Sequence, residues 1–227
     1  VSPKLAIRAT IRAVLGVVLL AAALFGSAGT VAWPMAWAYL GVVAVSQAAA
    51  LVWFLRHDPD LIVERSRWHK DAKGWDKVLA PLIAVVIPLA IMVVAGLDRR
   101  FVGAGMPVWA SALGLAIGVA GYAFIVWAVV ANPFFSSVVR LQRDRGHRVA
   151  SGGPYALVRH PGYVGASVAG LALPFVFGSF WALLPAGVYV LALVVRTGLE
   201  DATLWRELEG YADYAARVRF RLIPGIW

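Results

Sequence analysis

Two polar patches interrupt an otherwise apolar chain, and their residue types could hold a small charged ligand. The first is Ser151-Gly152-Gly153-Pro154-Tyr155-Ala156-Leu157-Val158-Arg159-His160-Pro161-Gly162-Tyr163. Its prolines and glycines mark a shaped turn and not a span. The second is Arg196 with Glu200 and Asp201, where the last apolar run gives way to a polar tail. Tyrosine faces and carboxylates favour a sulfonium or ammonium centre. Free amides at the start of a helix near Pro161 favour a carboxylate or phosphate. A methyl donor and a phosphorylated nucleotide both meet that description. Other chemistries are poorly served. None of His57, His69, His147 and His160 pairs at i,i+4 with another ligand type, so no metal site is expected. Cysteine is absent, which excludes disulfides, thiolate metal sites and cysteine nucleophiles. No GxSxG elbow, Walker loop or GxGxxG occurs in a strand–turn–helix context, and Ser136-Ser137 has no nearby base.

Membrane helices must position these patches. The chain is 61% hydrophobic and 15% charged, with a mean hydropathy of +0.77, whereas a soluble domain carries about 25% charged residues. No alternation of period two suggests a barrel. The pattern predicts an all-α polytopic membrane bundle of about six spans, the last two forming a short helical hairpin, followed by a C-terminal amphipathic helix. The spans run roughly over 9–28, 33–55, 78–97 and 108–131, and the apolar stretch 162–195 is too long for one crossing. Gly178-Ser179 divides it into arms of about 16 residues. Gly114, Gly118 and Gly121 give the fourth span a flank that a neighbouring helix can approach closely. In the tail, 197–220, Glu200, Leu204, Leu208 and Tyr211 recur at helical spacing and share a face, and Arg196 and Glu200 are i,i+4 neighbours.

Lys4, Arg8 and Arg12 precede the first apolar run, which lacks a convincing cleavage site and is expected to be retained. The charge of +9 reflects basic loops on one membrane face, such as that containing Arg65, Arg67, Lys70 and Lys73, and not nucleic-acid binding. With six crossings and a cytoplasmic N-terminus, only Arg99 and Arg100 of the 21 basic residues fall outside. Both termini and both polar patches are then cytoplasmic, in an integral protein of the bacterial inner membrane. One domain is expected, with N-terminal spans over 1–107 and a catalytic core over 108–227.

The ordered motifs resemble a known family. Gly153-Pro154-Tyr155, Val158-Arg159-His160-Pro161-Gly162-Tyr163, Arg196 with Glu200-Asp201, Tyr211, Tyr214, Arg217-Val218 and Leu222-Ile223-Pro224-Gly225 follow its pattern. So do Asn132-Pro133-Phe134-Phe135-Ser136-Ser137 and Asp144-Arg145-Gly146-His147. The pattern is similar to the isoprenylcysteine carboxyl methyltransferase and phospholipid methyltransferase superfamily, in its bacterial branch, over about the last 100 residues. The resemblance implies S-adenosylmethionine bound by Tyr155, Arg159, His160, Pro161, Tyr163, Glu200 and Asp201, with Arg196 and Glu200 as catalytic residues and no metal. It also implies a lipophilic small-molecule or prenylated acceptor. The placement of the site at the membrane surface suggests entry from membrane lipid between the last hairpin and the fourth span. An ionised carboxylate acceptor needs no base, and Arg196 would hold it; an ammonium acceptor would need Glu200 or His160 as base. Two departures stand out: the family's Glu-Glu is Glu200-Asp201 here, and the segment between Leu204 and Tyr211 is a residue shorter than in the eukaryotic enzymes.

Two other readings compete. Membrane sterol reductases end similarly, and Arg159, Arg217, Arg219 and Arg221 could bind the extra phosphate of NADPH. A noncatalytic scaffold or transporter would place its polar residues at the bilayer midplane instead of at one surface.

Overall fold

The computed structural model describes residues 3–66, 71–103 and 105–227; Arg67, His69 and Lys70 of the basic loop lie outside them, as do the side chains of Lys4 and Arg65. Among the described residues the chain forms helices and turns and no strand. The helices are α1 (Pro3–Ala28), α2 (Pro34–His57), α3 (Pro59–Ser66), α4 (Asp76–Phe101), α5 (Val108–Ala131), α6 (Pro161–Phe177), α7 (Leu183–Glu207) and α8 (Tyr211–Arg217). Of these, α1, α2, α4, α5 and α7 are long and apolar enough to cross a bilayer. The 17 residues of α6 give roughly 26 Å at 1.5 Å per residue, just under the ~30 Å hydrocarbon core. The protein is thus an all-helical integral membrane bundle of about six spans.

Local chemistry sets the helix limits. Proline at the first turn opens α2 and α6, where its missing N–H costs nothing. Gly178 closes α6 in the left-handed region at φ 70° and starts the expected hairpin. In α4, a π-helical stretch at Leu82–Val86 follows Pro81, whose ring breaks the regular hydrogen-bond ladder.

The hairpin differs from the sequence expectation in its second arm. Its α7 continues unbroken for 25 residues to Glu207, so Arg196, Glu200 and Asp201 lie within it and not at the start of a separate tail helix. The polarity change at Arg196 marks where the helix leaves apolar surroundings, which need not be where its hydrogen bonding stops. The tail helix proper is the seven-residue α8.

The apolar core lies toward the end of the bundle away from the polar patches, where Leu24, Trp33, Ile91, Met92 and Phe177 pack together. At that end Ser179 Oγ donates to the buried Asp98 carboxylate at 2.5 Å. A second cluster, Ala128, Tyr155, Leu208, Tyr211 and Tyr214, backs the polar patches. Between them α5 and α6 pack backbone to backbone. A Cβ on Gly165 would lie 2.6 Å from the Gly121 carbonyl oxygen, and one on Gly114 would lie 2.7 Å from Phe175 Cβ. The expected close-approach flank is therefore real at Gly114 and Gly121, whereas Gly118 meets Ala172 at an ordinary 3.6 Å. Where those backbones touch, α5 and α6 leave no room between them for a lipid chain.

Candidate active site

The two polar patches meet. A cavity of about 270 Å³ at one end of the bundle is lined by Tyr155, Arg159, His160, Tyr163, Arg196 and Glu200. Leu204, Leu208 and Tyr211 line it too, so all four residues of the expected face reach it, although Leu208 and Tyr211 lie beyond the end of α7. Pro161 and Asp201 do not line it.

Two neighbouring carboxylates on α7 have different surroundings. Glu200 faces the cavity and accepts a short hydrogen bond from the Tyr163 hydroxyl. Tyr163 in turn stacks on His160, with ring centroids 5.8 Å apart. Asp201 is enclosed by donors. Arg159 grips it with two bonds (Nε 2.8 Å, Nη2 3.0 Å), Arg221 Nε and the Tyr211 hydroxyl each donate at 2.8 Å, and His160 Nε2 lies 3.2 Å away. Arg159 Nη1 donates to the carbonyls of Val218 and Arg219 at 3.0 and 2.8 Å. The backbone amides of Arg159 and His160 bond to Phe220 and Arg221. Asp201 and Arg159 therefore fasten the Arg-His-Pro turn to the C-terminal segment.

Arg196 is not paired with Glu200. Its Nε and Nη2 form a fork on Asp76, at 2.8 and 3.0 Å, and Nη2 also donates to the Ser137 carbonyl at 3.1 Å. The guanidinium sits over the Tyr163 ring at 5.5 Å. Nη1 makes no hydrogen bond among the described residues, and Arg196 lines the cavity. Asp76, fully buried at the start of α4, also accepts the Val139 amide at 2.6 Å. One carboxylate thus ties α4, α7 and the loop over the cavity. The sequence reading did not include it, because it treated that stretch only as an orienting basic loop. The available signal was an acidic residue opening one span and an arginine closing another, since buried charges need partners.

The loop 132–150 forms the remaining wall. Asn132 Oδ1 accepts the Phe134 amide at 2.9 Å, and Asn132 Nδ2 donates to the Tyr155 hydroxyl at 3.2 Å. Burial pushes the Tyr155 phenol well above its usual range, so it stays neutral. Arg140 anchors the loop to α3, with Nε and Nη2 on Glu64 at 2.8 and 2.9 Å. His147 packs on Phe134 and accepts the Gln142 amide through Nδ1 at 3.2 Å. Its pKa is lowered by burial and by the charges of Arg140 and Arg145, which keeps the ring neutral.

Fold and site together define a multi-pass membrane protein whose charged, aromatic-walled cavity lies at one end of its spans. Residues 113–206 match the model of the isoprenylcysteine carboxyl methyltransferase (ICMT) family, the family that the ordered motifs resemble. No curated protein matches the chain. The matched segment holds every site residue expected from the sequence, whereas Asp76, Tyr211 and Tyr214 lie outside it.

Proposed function

We propose that the protein transfers the methyl group of S-adenosylmethionine to a lipophilic acceptor, a carboxylate of isoprenylcysteine type. The observation that carries this reading is the meeting, in one cavity, of the Glu200 carboxylate and the Arg196 guanidinium. The donor set suits the cofactor: a carboxylate and the Tyr155 and Tyr163 rings attract a sulfonium, while Phe134, Phe135 and Leu204 offer flat apolar walls to a purine. When bound, S-adenosylmethionine supplies an electrophilic methyl carbon. Arg196, held by Asp76, presents N–H groups to an anionic acceptor and fixes its line of approach. Glu200 has its orientation set by Tyr163, so its charge stays aimed at the cation. A carboxylate acceptor is already ionised at neutral pH, so no side chain need remove a proton. The charge asymmetry of the loops favours a site on the cytoplasmic face of an inner membrane, with both termini on that side.

The four arginines named for NADPH do not support the reductase alternative. Every nitrogen of Arg159 is engaged by Asp201 or a backbone carbonyl, and Arg217, Arg219 and Arg221 do not line the cavity. None of the four is free to take a nucleotide phosphate there. Calorimetric titration of the purified protein with S-adenosylmethionine, S-adenosylhomocysteine and NADPH tests the proposal. Saturable binding of both sulfur compounds is expected; binding of NADPH alone would overturn it.

A further inference from the structure

A second cavity, of about 230 Å³, lies inside the bundle between α2, α4, α5, α6 and α7. Ile125 and Ala166 line both cavities, so the two adjoin at that level. From there the inner cavity extends to Leu115 on α5 and Val176 on α6. Ten residues along a helix correspond to about 15 Å, the length of an extended chain of about a dozen carbon atoms.

A cavity for a plain hydrocarbon would be lined by apolar side chains alone. This one is also lined by Ser46 and Tyr122, and by three further polar residues, Tyr39, Gln47 and Tyr189. Among the described residues none of these three side chains has a hydrogen-bond partner, and their polar atoms are not fully enclosed by protein. Gln47 is the fourteenth of the 24 residues of α2, near the middle of the span. Water is scarce there, so an amide without a partner keeps its full desolvation cost. A hydrocarbon in the cavity would leave that cost in place, whereas a ligand oxygen would remove it.

Resting on the methyltransferase reading, we propose that this cavity holds the body of the acceptor, and that the acceptor is an oxygenated lipophile. A hydroxyl or carbonyl on its apolar chain pairs with Gln47, assisted by Tyr39 or Tyr189, while its carboxylate reaches Arg196 through the junction at Ile125 and Ala166. The polar groups then select for substrate and are not a defect of the bundle.

The test compares three probes with the full chain in lipid nanodiscs: N-acetyl-S-farnesylcysteine and its analogues hydroxylated at carbon 8 or carbon 12 of the farnesyl chain. Binding is read at equilibrium by displacement of the tritiated parent. A hydroxyl weakens partition into bare bilayer, so tighter binding requires a partner in the protein. At least one hydroxylated probe should bind about five-fold tighter than the parent, the worth of one net hydrogen bond. Gln47→Leu should abolish that preference and leave the affinity for the parent unchanged; Tyr39→Phe and Tyr189→Phe should identify the assisting hydroxyl. Equal or weaker binding of both hydroxylated probes would overturn the proposal and mark the cavity as a hydrocarbon or acyl-chain site. So would a preference that survives all three substitutions. S-adenosylhomocysteine is titrated separately. Its failure to bind would refute the methyltransferase reading but leave the probe comparison valid.

Discussion

Removing the Asp76 carboxylate should be the most damaging single change near the cavity. Asp76→Ala strands the Arg196 guanidinium, whose side chain is only 9% exposed, and leaves the Val139 amide without its acceptor. Breaking a buried pair from one side costs about 3–5 kcal/mol, because the other charge stays buried. In a chain of this size each kcal/mol moves the thermal midpoint by about 2–4 °C, so a fall of between about 6 and 20 °C is expected. The ten tryptophans provide the fluorescence signal for unfolding in detergent. Asp76→Leu combined with Arg196→Met removes both charges and should recover most of the loss, since apolar replacement of a whole buried pair is often neutral. The double variant should keep its fold yet lose methyl transfer. Additive losses in the two single variants and the double would show no coupling between these residues, and would refute the anchoring argument.

Four further outcomes follow from the same geometry. Glu200→Gln should weaken S-adenosylmethionine more than S-adenosylhomocysteine in calorimetry, because only the first carries a positive sulfur; an equal effect on both would mean that Glu200 does not face the sulfonium. Asp201→Asn should loosen the C-terminal segment, seen as faster amide exchange over 218–227, because Arg159 and Arg221 lose the charge they share. His147 has a lowered pKa in the folded protein, so the unfolded chain binds its proton first. Its contribution is complete above the unfolded value of about 6.5 and is lost as pH falls toward the folded one; the decline in thermal midpoint below pH 6.5 should be shallower in His147→Asn. Gly165→Ala should cost about 1–3 kcal/mol, because its Cβ would meet the Gly121 carbonyl at 2.6 Å and backbone cannot yield cheaply; a neutral effect on thermal midpoint would contradict the tight crossing.

Sequence reading succeeded where a pattern repeats or a motif is contiguous. Long apolar runs revealed the spans, Gly178 the hairpin, and the Gly114–Gly121 flank a close crossing. The Arg-His-Pro turn and the acidic residues of α7 were visible as polar islands in apolar surroundings. Pairings between distant charges were less legible. Arg196 has Glu200 one turn away, and helical spacing alone favours that partner, yet Asp76 takes it from 120 residues earlier. The choice depends on which way the arginine leans as three helices converge, and no local pattern encodes that. Likewise Arg140 with Glu64, separated by 76 residues, fixes the loop wall without any motif to announce it.

The two adjacent acids of α7 make the same point about motifs. Consecutive residues on a helix point about 100° apart, so a side-by-side pair cannot both face one small cavity. Here Glu200 turns toward the cavity and Asp201 toward Arg159, Arg221, His160 and Tyr211. The shorter side chain stands at the position that makes no contact with the cavity, where its length is set by the arginine fork and not by a ligand. Replacing Glu-Glu by Glu-Asp therefore leaves the cavity wall intact and alters the joint between the Arg-His-Pro turn and the C-terminal segment. The two acids divide their work: one presents its charge to the cavity, and the other holds in place the turn on which His160 and Tyr163 are mounted.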